Sequence, residues 1–600
     1  MPGHRTAALQ RLISEDAVGQ LRRREGLMAR LGSEDGALKL DWVEGAARLL
    51  DDSTKLEEVE AEARGIWEHG IRHIIWAGMG GSIISVRVLA ELGFCGGQDD
   101  NFITIYPLDS TDPAALNDIV RRLADIKHLT LPQSEVPPDS SLLQALLNNV
   151  MMIGVSMGMT SEEPITHLTW FTELLAQAQL QPPEHLLVMT LPGSYLDAFA
   201  HEHQVPSRPL QLDGGTDIGG RMSAPTTRVF LLPAALYLTR LSNESGLLRR
   251  VLHQAWQQHN LAITTEHPAN SAFVRLAAAL SNASSDGACR LFLKMPQGWQ
   301  AIVQWIEQLM EESLGKGGKG VVVFDEQMLN DQAPSYSMNG TLPVHVITDL
   351  AQSEENNIFH LYQPYLASKE PQNRLAAVAT SFLGWQLSMA LYGYLHTIMF
   401  AGQPAVENYK TRARALRTQQ DPLEVISNWE ATVTDGSLTL LAPQKVETQG
   451  SPASVFAKAL QQAVSAPDKR VRLSFLDFTI NGNPSTSLLS VINAHMHKIG
   501  NEFLGVPIKL RQAPAAYHST EQSEMDGSPH LVSLRLLMHD HEKSILGTYT
   551  DTFLCAQAVS TWQAMIEQER PCFLLIVNGV INEVIEPLNS FLENVQRELS

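Results

Sequence analysis

Short runs of apolar residues alternate with longer amphipathic stretches from about residue 46 to Leu241. The apolar runs predict four strands: His73–Ala77, Phe102–Leu108, Val150–Val155 and Leu186–Leu191. The stretches between and after them predict helices: Pro113–Ala124, Glu162–Ala178 and Met222–Leu241. This alternation is typical of a doubly wound parallel sheet with right-handed crossovers. Because such sheets bind ligands at the carboxyl ends of their strands, chemistry is expected in the loops that follow the strands.

The same alternation returns after a polar helical stretch. It predicts strands at Cys289–Lys294, Gly320–Phe324 and Val344–Ile347, and helices at Gln297–Leu314 and Asn373–Phe400. Beyond about Leu416, further strands are expected at Ser437–Leu441, Arg472–Phe478, Leu531–Leu537 and Phe573–Asn578. The pattern therefore predicts an α/β protein with two doubly wound parallel-sheet domains and a smaller C-terminal α/β domain. The expected division is a helical segment at residues 1–45, sheet domains at 46–241 and 242–416, and the C-terminal domain at 417–600.

Composition and charge exclude some classes of function for this chain. The chain has 44% apolar and 18% charged residues, as ordinary soluble globular proteins do. Its net charge of −21 argues against a nucleic-acid partner, which requires a basic face. The N-terminus does not resemble a signal peptide, and apolar stretches such as Ala390–Phe400 are too short to span a membrane, so we expect a cytoplasmic protein. The four isolated cysteines predict neither a disulfide framework nor a metal site: Cys95, Cys289, Cys555 and Cys572.

The first chemical motif is the glycine turn of Ile74–Ser82, which connects a predicted strand to a predicted helix. Glycines let the backbone approach an anion closely, and the helix start presents unpaired N–H groups. Ser82, expected at the N-cap, adds a hydroxyl donor. A dinucleotide site would need a glycine where Ile83 stands, although Asp109 supplies the acidic residue after the next strand, so that alternative stays open. A turn that only allows close packing is the other alternative.

The second motif, Val155–Pro164, also connects a predicted strand to a predicted helix. It places three hydroxyls on one short loop, from Ser156, Thr160 and Ser161, whereas an ordinary N-cap accounts for only one. Two such loops in one sheet predict a pocket for a phosphate monoester. No Lys or Arg lies between Lys127 and Arg208, so we expect neutral donors and helix dipoles alone to hold the phosphate.

Three further segments carry groups for proton chemistry. Arg221, expected at the start of the Met222–Leu241 helix, supplies a rigid guanidinium that can hold an oxyanion. Glu312 ends a predicted helix, where the dipole disfavours a carboxylate and so favours a general base. Glu407 and Lys410 lie three residues apart, a spacing that most often gives a surface ion pair on a helix.

Taken in chain order, these segments resemble those of the phosphoglucose isomerase family. The resemblance is strongest to the isomerase half of bacterial transaldolase/phosphoglucose isomerase fusions, covers roughly residues 15–570 and includes no transaldolase portion. It rests on Gly78–Ser82, Leu108–Pro113, Gly219–Ser223, Trp305–Gly320, Gln403–Lys410 and Tyr517–Gln522, the last resembling an HSTGQ segment of the fused enzymes. The resemblance implies a sugar-isomerase (SIS) fold that holds a phosphorylated sugar, without a metal or cofactor, and by analogy a possible homodimer.

The resemblance also implies roles for individual residues. Glu312 would move a proton between C2 and C1 through a cis-enediol, Arg221 would stabilise the enediolate, and Lys410 would assist ring opening. The phosphate would be held by Gly80, Gly81, Ser82, Ser156, Thr160 and Ser161. The ring-opening histidine is not fixed by the motifs: His518 is favoured by its segment, and His345, His360 and His396 are alternatives.

Two departures from the family pattern bear on activity. The family's second loop resembles SKSGTT, but here Met157, Gly158 and Met159 stand where the lysine, the second serine and the glycine are expected. Glu311 beside Glu312 is expected to add like-charge repulsion.

The predicted function is the interconversion of glucose 6-phosphate and fructose 6-phosphate. The alternative is a catalytically weakened sugar-phosphate sensor or partner-binding protein, and a phosphoglucose/phosphomannose isomerase is a third possibility.

Overall fold

The N-terminal part of the protein is helical, as predicted. The computed structural model describes residues 6–96, 101–131, 140–326, 339–350, 358–419, 421–468, 472–527, 531–540, 542–579 and 583–600. Before the first large sheet come α1 (Ala7–Ser14), α2 (Ala17–Arg23), α3 (Gly26–Leu31), a small hairpin of β1 (Ser33–Glu34) and β2 (Ala37–Leu38), α4 (Gly45–Asp51) and α5 (Thr54–Glu68).

The first large sheet is entirely parallel and has the order β4-β3-β5-β6-β7. Its elements are β3 (His73–Ala77), α6 (Ile84–Glu91), β4 (Thr104–Leu108), α7 (Pro113–Ile126), α8 (Ser140–Leu147), β5 (Val150–Val155), α9 (Glu163–Gln177), α10 (Pro182–His185), β6 (Leu186–Thr190), α11 (Tyr195–Glu202), β7 (Ser207–Pro209) and α12 (Arg228–Leu241). Alternate residues of β3 point to opposite faces of the sheet: Ile74 and Trp76 belong to one apolar cluster, and Ile75 belongs to another. Both faces of the sheet are therefore covered, as in a doubly wound fold.

The second sheet is also parallel, with the order β11-β10-β8-β9. Its elements are α13 (Leu247–Gln258), α14 (Leu261–Glu266), α15 (Ala272–Ala283), β8 (Ala288–Lys294), α16 (Ile302–Leu314), β9 (Gly320–Asp325), β10 (Thr341–Ile347), β11 (Phe359–Tyr362), α17 (Pro371–His396) and α18 (Glu407–Leu416). Helix α17 is long and apolar enough to cross a membrane, but 94% of its apolar window is buried inside the protein. It packs as a core helix against α13, α15 and α16.

The C-terminal region forms a mixed sheet with the order β12-β13-β17-β16-β14-β15. Its elements are β12 (Thr432–Asp435), β13 (Leu438–Leu441), α19 (Pro452–Ser465), β14 (Phe475–Asn481), α20 (Thr486–His497), β15 (Ile508–Ala513), α21 (Glu521–Asp526), β16 (Leu531–Met538), α22 (Thr552–Glu567), β17 (Cys572–Val577) and α23 (Ile585–Leu599). The four strands β14 to β17 are parallel, and β13 pairs antiparallel with β17. The predicted α/β class, with two doubly wound parallel sheets and a C-terminal α/β domain, is confirmed.

The apolar cores do not follow the predicted domain limits closely. One cluster of buried side chains runs from Leu9 to Phe400, so the N-terminal helices and both parallel sheets share a core. Another cluster joins Phe292 and Phe324 of the second sheet to Phe475 of the C-terminal sheet. The three sheets fall within the predicted ranges, but the limits at residues 45, 241 and 416 remain predictions.

Candidate active site

A cavity of about 420 Å³ opens at the carboxyl edge of the first sheet. From β3 the chain passes to β4 on one side and then to β5 on the other, so the switch point of the sheet lies between β3 and β5. Ligands of doubly wound sheets bind at this crevice. The loops after β3 and β5 both line the cavity, as the sequence predicts.

The first glycine loop forms a tight turn rather than a helix start. Gly80–Ser82 is a 3₁₀ turn, and α6 begins only at Ile84, so the expected N-cap role of Ser82 is wrong. The turn instead packs against a second glycine turn, since a Cβ on Gly81 would lie 2.2 Å from the carbonyl of Gly220. Ser82 faces the cavity, and its hydroxyl accepts a hydrogen bond from the backbone N–H of Met157 at 3.2 Å. The first loop is thereby connected to the second.

The hydroxyls of the second loop are divided between the loop itself and the cavity. Ser156 is buried, donates to the carbonyl of Gly158 at 2.8 Å and accepts from its N–H at 3.1 Å. Its side chain therefore shapes the loop, and Ser156 is not among the residues that line the cavity. Thr160 and Ser161 do line it, together with Gly80 and Gly81.

Arg221 is buried at the floor of the cavity and is fixed by four hydrogen bonds. Its guanidinium donates to Glu312 Oε1 at 3.0 Å, to Ser313 Oγ at 2.8 Å, and to the carbonyls of Phe400 and Gly402 at 2.7 and 2.9 Å. The prediction that Arg221 opens the long helix is wrong, because α12 starts only at Arg228. The proline at position 225 explains the delay, since a proline disfavours helical backbone in the residue before it.

Glu312 lies in the last turn of α16 with both carboxylate oxygens occupied. Oε1 accepts from Arg221, and Oε2 accepts from the amide of Gln308 at 2.9 Å. Gln308 also donates to the carbonyl of His518 at 3.1 Å, and its own carbonyl oxygen is buried without a partner among the described residues. Sequence reasoning missed Gln308, although its position one helical turn before Glu312 places both on one face.

Glu311 points away from the cavity and pairs with cations of the C-terminal domain, so the expected repulsion with Glu312 stays a prediction. Its carboxylate accepts hydrogen bonds from the ammonium of Lys509, from Arg511 at 3.3 Å and from the N–H of Val323 at 2.9 Å. Burial raises the pKa of Glu311, and the charges of Lys509 and Arg511 oppose that rise. Adjacent residues of a helix face different directions. Here Glu312 faces the cavity, while Glu311 pairs with residues of the C-terminal domain.

Cations from other segments of the chain line the same cavity, contrary to the expectation of neutral donors alone. Lys410 and Arg414 lie one turn apart on α18 and both line the cavity, as does Lys39 from the N-terminal part. Lys410 donates to Glu407 Oε1 at 2.9 Å, so the ion pair expected from their spacing is present. The same lysine nevertheless faces the cavity, so the pair does not exclude a functional role.

The C-terminal domain contributes His518, whose imidazole Nε2 lies 2.8 Å from Glu163 Oε1. Gln557 also donates to Glu163 Oε1, at 2.9 Å. Burial works against the charge of Glu163, but His518, hydrogen bonds and Lys410 outweigh it and lower the pKa of this carboxyl to about 2. The carboxylate therefore holds a histidine at the cavity wall, a pairing that sequence reasoning missed because the two residues are 355 positions apart.

The other candidate histidines lie elsewhere. His345 interacts with Glu326 at 2.9 Å and its ring lies near that of His360, on the second sheet. His396 packs against Tyr392 at the end of α17.

Asp109, the acidic residue of the dinucleotide alternative, accepts a hydrogen bond from Arg87 and lies outside the cavity. No cluster of His, Cys, Asp and Glu within the described ranges is arranged to bind a metal ion.

Glu163→Gln is expected to destabilise the protein by about 2–3 kcal/mol at pH 7. The folded-state pKa of Glu163 is about 2, below the ordinary value of 4.5, so the charged carboxylate stabilises the fold fully above pH 4.5. That contribution is lost as the pH falls from about 4.5 toward 2, so the difference from wild type should narrow over this interval. Urea unfolding of both proteins at a series of pH values measures this difference in the free energy of unfolding.

Glu173→Gln is the matched control, because Glu173 is an exposed residue of the same helix. A surface substitution of this kind is expected to change stability by less than about 0.5 kcal/mol at each pH. If Glu163→Gln behaves in the same way, the Glu163–His518 pair does not stabilise the fold as described.

Comparison with known proteins gives distant structural likenesses only. No family model matches the chain, and no curated protein matches it. A hypothetical protein from Thermus thermophilus is 19% identical with a TM-score of 0.49, over 68% of this chain and 96% of that one. A glucose-6-phosphate isomerase from Chlamydia trachomatis is 15% identical with a TM-score of 0.46, over 70% of this chain and 86% of that one. A tagatose-6-phosphate ketose/aldose isomerase from Escherichia coli is 14% identical with a TM-score of 0.33, over 60% and 94%. At these values the likenesses do not assign a family or a reaction to this chain.

Proposed function

We propose that this protein is an aldose–ketose isomerase of the sugar-isomerase (SIS) type that interconverts glucose 6-phosphate and fructose 6-phosphate. One observation carries the proposal: a buried carboxylate, Glu312, and a histidine–carboxylate pair, His518 and Glu163, face one cavity between two hydroxyl-bearing loops. Proton transfer needs the first group, ring opening needs the second, and a phosphate fits the loops. A cavity of this size also falls in the usual range for small-molecule sites.

The residues divide the reaction between them. His518 exchanges a proton with the ring oxygen, with Glu163 holding its imidazole, and Lys410 faces the C1 oxygen as the ring opens. Glu312 then removes the proton from C2, giving a cis-enediolate, and returns it to C1. The proton of the C2 hydroxyl passes to the C1 oxygen in the same conversion, so the C1 carbonyl becomes a hydroxyl, the C2 hydroxyl becomes a carbonyl and no oxidant or reductant is consumed. Arg221 stabilises the enediolate as a fixed cation beside the base.

A sugar-phosphate sensor is the second candidate function, favoured by one observation. Met157, Gly158 and Met159 leave the phosphate loop without its own cation, which lowers the affinity expected from the loop alone. A pure binding protein, however, gains nothing from a buried carboxylate held beside a fixed guanidinium. The isomerase proposal accounts for both Glu312 and Arg221, and the sensor accounts for neither.

A coupled assay that reduces NADP⁺ as glucose 6-phosphate forms from fructose 6-phosphate tests the proposal. Wild type is expected to be active, and His518→Asn to lower kcat about 100-fold because ring chemistry loses its acid–base group. His539→Asn is the control, since His539 is exposed on the C-terminal domain and should retain wild-type activity. An inactive wild type that glucose 6-phosphate nevertheless protects against heat would favour the sensor.

A further inference from the structure

The phosphate loop after β5 has no basic residue of its own, yet a guanidinium lies against it. Arg414, on α18, donates to the backbone carbonyl of Thr160 at 3.4 Å and to Glu162 Oε2 at 3.2 Å. It lines the cavity, and its side chain keeps 38% of its surface exposed. The group is therefore both adjacent to the loop and accessible from the cavity.

Resting on the isomerase function proposed above, we propose that Arg414 is the cation of the phosphate subsite. Helix α18 supplies the charge that the loop lacks at Met157. The guanidinium is planar, always charged and suited to bind two phosphate oxygens at once. Arg414 would therefore select phosphorylated over free sugars.

The charges around Glu162 leave Arg414 available for this role. Arg417, at the C-terminal end of α18, donates to Glu162 Oε1 at 3.1 Å. One carboxylate thus lies between two guanidiniums, and the three groups together carry a net positive charge. When a phosphate enters, Arg417 retains Glu162 while Arg414 turns to the ligand.

The position of Arg414 also connects the phosphate to the reacting end of the sugar. Lys410 lies one turn earlier on the same face of α18, and both side chains line the cavity. Binding of the phosphate by Arg414 therefore fixes the helix that carries Lys410. Free hexoses would lose this contact and would be poorer substrates even at saturating concentration.

Steady-state kinetics of wild type, Arg414→Ala, Arg414→Lys and Arg412→Ala test the proposal, with inorganic phosphate as a competitive inhibitor. Arg414→Ala is expected to raise KM for fructose 6-phosphate and the inhibition constant of phosphate about 10- to 100-fold, with a smaller effect on kcat. Arg414→Lys should recover part of the loss. Arg412→Ala is the matched control, because Arg412 lies on the same helix but pairs with Glu567 and does not line the cavity, and it should stay within about twofold of wild type.

The outcomes separate this proposal from the proposed function. If wild type is active and Arg414→Ala has the same KM and the same inhibition by phosphate, the role of Arg414 is overturned. The proposed isomerase function then still stands. If wild type is inactive, calorimetric titration of the same variants with inorganic phosphate and glucose 6-phosphate decides. Binding that requires Arg414 but not Arg412 then supports the subsite without the reaction, and no binding to wild type overturns it.

Discussion

Glu312→Gln is expected to lower kcat by about 10²- to 10⁴-fold, the range that a positioned general base supplies. The amide has nearly the same shape and can remain next to Arg221 and Gln308, but it cannot accept the proton from C2. Substrate binding should change far less than kcat, because the phosphate contacts lie on other loops. Initial rates in the coupled assay, with KM determined separately, measure the effect.

Glu307→Gln is the control for this substitution. Glu307 lies on the same helix but pairs with Lys509 and Arg511 outside the cavity. The kcat of Glu307→Gln should therefore stay within a few-fold of wild type. Circular dichroism should show that both variants are folded. Equal rates for wild type and Glu312→Gln would remove Glu312 from the mechanism.

Arg511→Met is expected to destabilise the protein by about 3–5 kcal/mol, because it removes the guanidinium that two buried carboxylates share. Arg511, whose side chain is 3% exposed, donates to Asp477 at 2.5 Å and to Glu311 at 3.3 Å. Both carboxylates are fully buried, so water cannot replace the lost guanidinium. Urea unfolding at pH 7 should show the loss as a lower midpoint.

Arg412→Met is the matched control, since Arg412 pairs with Glu567 at 2.7 Å on the surface, where Glu567 is 61% exposed. An ion pair of that kind contributes at most about 1 kcal/mol. Equal destabilisation by the two substitutions would show that the buried network between α16 and the C-terminal sheet has no special role in stability.

The loops of the first sheet were predictable because they depend on local pattern. Apolar runs identified β3 and β5, and the parallel order of the sheet then placed Gly78–Ser82 and Ser156–Ser161 at one edge. Helix starts were less predictable. The sequence suggests a helix from Met222, but the proline at 225 and the glycine turn before it delay α12 to Arg228.

Strands β7 and β15 were missed for different reasons. Strand β15 alternates apolar and charged residues as Ile-Lys-Leu-Arg, but the run is short, and Lys509 and Arg511 meet buried carboxylates rather than solvent. Strand β7 is a short edge strand whose residues are partly exposed, and it has no apolar run at all. A hydrophobic pattern alone indicates neither a very short edge strand nor a short strand whose charged side chains are paired inside the protein.

The cross-domain contacts of the site were beyond sequence reasoning. The segment around His518 suggested a role, but nothing in it indicated Glu163 as its partner. Arg414 lies outside every motif, and its approach to Thr160 follows from how α18 packs beside the first sheet. Such contacts depend on tertiary packing, which leaves no periodic signal in the chain.

Proton transfer in heavy water tests most directly whether the cavity is the active site of an isomerase. Wild-type protein would be incubated with glucose 6-phosphate in D₂O and followed by ¹H NMR. The proposed mechanism gives fructose 6-phosphate together with deuterium at C1 or C2, at a rate that Glu312→Gln lowers by about 10²-fold or more. Saturable binding of glucose 6-phosphate to wild type with neither product nor deuterium exchange would contradict it.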